Sequence, residues 1–294
     1  MKKVAFLAVA MAALLGTAVF AQEKVGLNVE FGIDLDNLTQ KDYGDNQNIK
    51  VILPYFIFST TVGQFTVDAE AGTNWSLAKD ANIPVALDNA FLQLTYNITE
   101  PLNAWVRSGD TGPIALGASY DVSTVKIGAE FQTWDGGHLG EGYNWAIVPQ
   151  VDFAAGDIFG YVKAILPIRD GLDIDQYGGG PAPDLNLFFG ATALDDFLAA
   201  VDEYFKGMSD PYDKNLSLQA RIGGNFGAVT ARVTLKVPLF EDGFKGAGML
   251  IQPYVKCDIN ESFYAYLDAK IMNVGNDSDT DIGFQPKIML GVKL

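Results

Sequence analysis

Residues 216–237 read LSLQARIGGNFGAVTARVTLKV, and they constrain the fold more than any other stretch of the chain. Apolar residues take alternate positions: Leu216, Leu218, Ala220, Ile222, then Val229, Ala231, Val233, Leu235, Val237. Between them stand Ser217, Gln219, Arg221, Gly223, Asn225, then Thr230, Arg232, Thr234, Lys236. A period of two is a strand period, because successive side chains point to opposite faces. With Gly227-Ala228 as a two-residue turn, Phe226 faces Val229, Ile222 faces Val233, and Leu218 faces Val237. Apolar then meets apolar throughout, so register and pattern agree. Each strand has roughly ten residues, about the length that crosses a bilayer at a tilt. Strands of soluble sandwiches run nearer five or six residues. One greasy face, one charged face and a tight turn predict a transmembrane β-hairpin.

The same alternation recurs along the chain. It predicts strands over 25–35, 49–59, 65–75, 85–98, 102–107, 114–122, 125–131, 145–153 and a stretch ending at Ile168. Beyond the hairpin it predicts 249–258, 263–271 and a terminal strand carrying Ile288, Leu290, Val292 and Leu294. The second strand is apolar on both faces and is interrupted by Pro54, which leaves its bounds open. A turn at Ser123-Thr124 sets Tyr120 against Ile127, Leu116 against Phe131, and Asp121 against Lys126. Short turns are expected near 61–63, 99–101, 155–157 and 259–261, and longer polar loops at 37–48, 79–82, 108–113, 135–144, 169–215 and 273–281. Short and long connections therefore alternate along about fourteen strands, as in an up-and-down barrel with both termini at the periplasmic end.

Composition removes competing classes. Among 294 residues, 36 Asp and Glu outweigh 20 Lys and Arg, which disfavours nucleic-acid binding. Hydrophobic residues reach 49%, yet mean hydropathy is only +0.12, as expected when apolar and polar positions interleave. The single Cys257 excludes an intramolecular disulfide and a cysteine-rich metal site, and reads as a small apolar strand residue. At the N-terminus, Lys2-Lys3, the apolar run 4–20 and Val19-Phe20-Ala21 read as a secretory signal peptide over residues 1–21, cut before Gln22. An uncleaved anchor is the alternative. Residues 22–294 form the barrel domain, without an apolar run near the ~18 residues of a membrane helix.

With the signal peptide, the alternating strands, the terminal apolar strand and aromatics near strand ends (Trp75, Trp105, Tyr120, Trp134, Trp145, Phe153, Phe226), the chain resembles a bacterial outer-membrane β-barrel protein. In size and strand count it is similar to the monomeric fourteen-stranded porins. The resemblance implies an all-β, single antiparallel up-and-down transmembrane barrel in the cell outer membrane. It also implies outer-membrane lipid and the barrel-assembly machinery as partners. The chain departs from the pattern in ending on Leu294, where such barrels usually carry an aromatic residue.

Two readings of the interior stay open. Glu30, Asp68, Glu70, Glu130 and Asp268 share the polar face with Lys126, Lys163, Arg221, Arg232, Lys236 and Lys270. These residues would line a water-filled pore passing small hydrophilic solutes or ions, their charges tuning selectivity. Alternatively they form a salt-bridge network in a closed barrel whose loops serve a structural, adhesive or ligand-binding role at the surface. The segment 169–215 holds ten acidic residues, and within it 192–206 is predicted helical from the Thr192 cap and Asp195. Leu194, Phe197, Leu198, Val201 and Phe205 share one face of that helix. It would constrict or cover the mouth, or only cap the rim.

Catalytic and cofactor signals are weak. His138 stands with Asp135 and Glu141, but the chain lacks GxSxG and HExxH. The DSDTD run at 277–281 lacks the central Gly and distant Glu of an EF-hand, and Gly178-Gly179-Gly180 lacks the features of a phosphate loop. No enzyme activity, metal or cofactor is expected.

Overall fold

The computed structural model describes residues 25–35, 49–76, 85–109, 112–133, 145–168, 216–239, 248–275 and 282–294. Fourteen strands cover them: β1 (Val25–Leu35), β2 (Ile49–Val62), β3 (Phe65–Ser76), β4 (Val85–Asn97), β5 (Leu102–Gly109), β6 (Gly112–Val122) and β7 (Val125–Thr133) open the series. It continues with β8 (Trp145–Ala155), β9 (Ile158–Pro167), β10 (Ser217–Phe226), β11 (Val229–Pro238), β12 (Met249–Asp258), β13 (Phe263–Val274) and β14 (Gly283–Lys293). Each pairs antiparallel with its sequence neighbours, and β14 pairs with β1 to close the barrel. Closure leaves no strand edge unpaired.

The hairpin of β10 and β11 has the expected register, with Phe226 opposite Val229, Ile222 opposite Val233 and Leu218 opposite Val237. Its burial is inverted relative to a soluble protein. Ile222 is 61% exposed, while Gln219 is 0% and Thr234 is 2% exposed. Apolar side chains face outward around the ring, as a lipid-facing surface requires, and polar ones face inward. The partners Tyr120 with Ile127, Leu116 with Phe131, and Asp121 with Lys126 are also found.

Four of the turns share one geometry. Gly63, Ser123, Gly156 and Gly227 each take the first of two turn positions with φ of +60°, +60°, +60° and +65°. That is the hairpin turn with positive φ at its first central residue, whose twist matches the flanking strands. The turn between β12 and β13 is built on Asn260, whose Oδ1 accepts from the backbone N–H of Ser262 and Phe263 at 2.9 Å each.

Three local readings are corrected. The turn expected at 61–63 lies one step later, at Gly63-Gln64, because β2 and β3 stay paired as far as Val62 and Phe65. The loop expected over 108–113 shrinks, since β5 runs to Gly109, β6 starts at Gly112, and these two glycines pair. Gly109, Gly112 and Pro113 look like loop chemistry but belong to strands, so this connection breaks the long-loop rule of its end. The ambiguity of β2 has a physical cause. Glu30 pairs with Tyr55 and Gly32 with Ile52, so two steps of β1 face three of β2. This bulge takes up Pro54, which has no N–H to give to a ladder. It also shifts the alternation, so Ile52 and Tyr55 both face inward and both are buried.

Candidate functional site: the barrel interior

Parity along each strand places all eleven predicted ionisable residues on the inward face. Asp68 accepts from Ser59 Oγ at 2.6 Å, and Glu70 accepts from the Tyr55 hydroxyl. Asp268 accepts from Gln252 Nε2 at 2.9 and 3.0 Å. Lys270 stands opposite Gln285 on β14. Glu30, Glu130 and Lys236 are buried, and the others are partly exposed.

The charges are not mixed evenly. Glu30 and Asp34 on β1 with Asp68 and Glu70 on β3 make one acidic arc. Lys163 on β9, Arg221 on β10, Arg232 and Lys236 on β11 and Lys256 on β12 make a basic arc. In the closed ring of fourteen, β3 and β10 are seven strands apart in either direction, so the arcs face each other.

Tyrosines tie the acidic arc to the far side of the closing seam. The Tyr264 and Tyr266 hydroxyls on β13 donate to Glu30 Oε1 and Oε2 at 2.5 and 2.8 Å, reaching across β14. Gly291 makes that reach possible, since a Cβ there would lie 2.0 Å from the Tyr264 ring. Lys256 Nζ and Lys293 Nζ lie 4.3 and 5.7 Å from the centre of the same ring, and both pair with Asp258. Each buried carboxylate thus receives donors, which is the condition for burying one without a large cost.

Between β3 and β9 the interior holds an open cavity of ≈ 460 Å³. Gln93, Asn103, Trp105, Arg107, Lys126, Glu130, Gln150, Asp152 and Lys163 are among its lining residues. Trp105 corrects an expectation: it is not an outward interfacial aromatic. Its parity matches Asn103 and Arg107, its Nε1 donates to Glu130 Oε2 at 2.8 Å, and it lies over Gly117 on β6. Glu130 also receives Arg107 and Gln132 Nε2, the latter at 2.7 Å. Tyr120 and Phe226 do face outward, at 51% and 62% exposed. The side chains of Trp75 and Trp145, and all of Trp134, lie outside the described residues.

Sequence reasoning missed several inward groups: Asp34, Arg107, Asp152, Lys256, Lys287 and Lys293. Strand parity alone would have found them. It also missed that the interior is partly apolar. Ala146, Val148 and Ile165 form one buried inward cluster, and Ile52, Tyr55 and Met289 another. The helix expected at 192–206 with Leu194, Phe197, Leu198, Val201 and Phe205 lies outside the described residues, as do residues 1–21, His138, 178–180 and 277–281. Among the described residues no group of His, Cys, Asp and Glu is arranged to hold a metal ion.

A closed fourteen-stranded antiparallel barrel, apolar outside and hydrophilic within, is the class that fold and interior define. No family model matches the chain, and no curated protein matches it in sequence. Solved structures similar to it include a mutant porin of Rh. blastica, at 9% identity and TM-score 0.48, covering 93% of this chain and 100% of that one. Salmonella typhi OmpF in complex with daunomycin is similar at 8% identity and TM-score 0.49, over 92% and 97% of the two chains. Pseudomonas aeruginosa OprD is similar at 12% identity and TM-score 0.46, over 93% and 95%.

Proposed function

We propose that the chain is a porin-like channel of the bacterial outer membrane, passing small hydrophilic solutes or ions passively. One observation carries the reading: a closed barrel of fourteen strands holds a hydrophilic cavity of ≈ 460 Å³ inside an apolar outer surface. Small eight-stranded barrels fill their interior with side chains, and larger ones leave room for water. The facing acidic and basic arcs would set a field across the lumen that orients dipolar solutes. The reading includes outer-membrane lipid as the surrounding solvent and assigns no catalysis.

Two measurements test it. The folded protein should fractionate with the outer membrane and show heat-modifiable mobility; recovery as a freely soluble protein without detergent would sink the barrel as a membrane protein. Purified protein in a planar bilayer should give discrete conductance steps in KCl. Constriction by the 169–215 segment is part of this reading. Replacing residues 185–212 with a Gly-Ser bridge should raise single-channel conductance, and an unchanged conductance would leave that segment a rim cap. The buried inward clusters at Ala146, Val148 and Ile165 and at Ile52 and Met289 favour a second reading, a closed barrel with a structural or ligand-binding surface. Absence of conductance from both proteins would select it.

A further inference from the structure

We propose that Arg221 and Arg232 form a binding station for the carboxylate of a small organic acid on the inner wall of the barrel. The proposal names a solute class for the channel and rests on that reading for its biological meaning. The binding itself is carried by local geometry.

Four neighbouring strands set the station. Tyr161 on β9 stands opposite Arg221 on β10, and Arg232 on β11 stands opposite Tyr254 on β12. Arg221 faces Thr234 and Arg232 faces Gly223, so the two arginines are diagonal neighbours. The order along the wall is therefore ring, guanidinium, guanidinium, ring. Arg221 Cζ lies 4.8 Å from the Tyr161 ring centre, and Arg232 Cζ lies 4.0 Å from that of Tyr254. Arg221 Nε donates to Thr234 Oγ1 at 2.9 Å, which fixes the plane of its guanidinium. Gly223, directly opposite Arg232, leaves its place on the wall to the Phe159 ring of β9.

Among the described residues, Arg107 is paired with Glu130, and Lys256 and Lys293 with Asp258. Neither Arg221 nor Arg232 makes such a pair among those residues. Asp268, on the strand beyond Tyr254, is engaged by Gln252 Nε2 at 2.9 and 3.0 Å, and Asp152, opposite Tyr161, by Gln150 Nε2 at 2.6 Å. A tyrosine face attracts a guanidinium but does not neutralise it. Two like charges on adjacent strands repel, and an incoming anion would relieve that repulsion. Guanidinium N–H groups form a planar fork suited to two carboxylate oxygens. Tyr161, Tyr254 and Phe159, whose ring tip lies 2.8 Å from where a Cβ on Gly223 would be, supply apolar surface for a carbon skeleton. Inorganic phosphate would gain nothing from that surface, and this favours an organic acid.

The test is calorimetric titration of sodium butyrate into full-length folded protein in detergent at low salt, where screening is weak. Saturable binding of one butyrate per chain is expected. Arg221→Gln and Arg232→Gln should each weaken it about tenfold or more, because each removes one charged fork. Arg232→Lys keeps the charge but loses the fork, and should fall between. Heat-modifiable mobility identifies variants that fold; if a glutamine variant does not, Arg232→Lys and Arg221→Lys carry the test. No saturable butyrate binding, or equal affinity in wild type and the folded variants, overturns the station. Tighter binding of inorganic phosphate than of butyrate overturns the carboxylate assignment. Conductance is measured separately. Butyrate binding without conductance would refute the channel and leave the station standing; conductance without butyrate binding would do the reverse.

Discussion

The closing seam and the basic arc use the same residue types to opposite ends. At the seam, Glu30 is 3% exposed and takes two tyrosine hydroxyls, while the nearby lysines share Asp258 and the Tyr264 ring. On the basic arc, Arg221 and Arg232 rest on tyrosine rings and have no carboxylate partner among the described residues. Tyrosine hydroxyls tie down charge in the first region. Tyrosine faces hold charge in place but leave it available in the second. In the proposed channel the difference would separate ionisable groups that maintain the barrel from those able to meet a solute, a separation that burial alone does not make.

The comparison can be broken by mutation. Glu30→Ala removes the common acceptor of two tyrosines and should cost about 1–3 kcal/mol for each hydroxyl left buried without a partner. Urea unfolding followed by tryptophan fluorescence measures this, and a loss below about 1 kcal/mol would show that the seam does not depend on Glu30. Val233→Arg tests the sidedness on which both regions rest. Val233 is 44% exposed on the outer face, and arginine there should cost about 2–4 kcal/mol in a bilayer if it lies near the midplane. Full stability of that variant in lipid vesicles would mean that inside and outside are exchanged. Arg232→Gln should shift stability by less than about 1 kcal/mol, since it gives up one ring contact and relieves one repulsion. A loss as large as that of Glu30→Ala would make the two regions alike. The smallest effect concerns a turn. Ser123 holds φ at +60° where three equivalent turns have glycine. Ser123→Gly should stabilise by about 0.5–1 kcal/mol, visible as a small rise in the urea midpoint.

Much of the barrel was legible because each strand must present one face to lipid. That requirement writes itself into alternation, and alternation alone placed the β10–β11 register. It misled at Pro54, where the bulge shifts parity inside one strand. Residue type, not alternation, misled at Trp105, where the aromatic suggested the interface and parity said otherwise. The hydrogen bonds of Glu30 could not be read at all, because its partners lie more than 230 positions away and meet it only on closure. The split between tied and available charges depends on such long-range meetings, so it belongs to the structure and not to the pattern. The helix expected at 192–206 rests on periodicity alone and lies outside the described residues.

The seam also orders events in time. Glu30 stands on the first strand and its two donors on the thirteenth, separated by 234 and 236 residues. Contacts of such separation form late, because the loop entropy must be met before they give any return. Until then the carboxylate must stay hydrated and both sheet edges stay open to pairing with other chains. A growing sheet that trapped Glu30 in a dry interior before β13 arrived would carry an unpartnered charge. The network therefore penalises premature closure on the wrong strand and rewards the single arrangement in which last meets first.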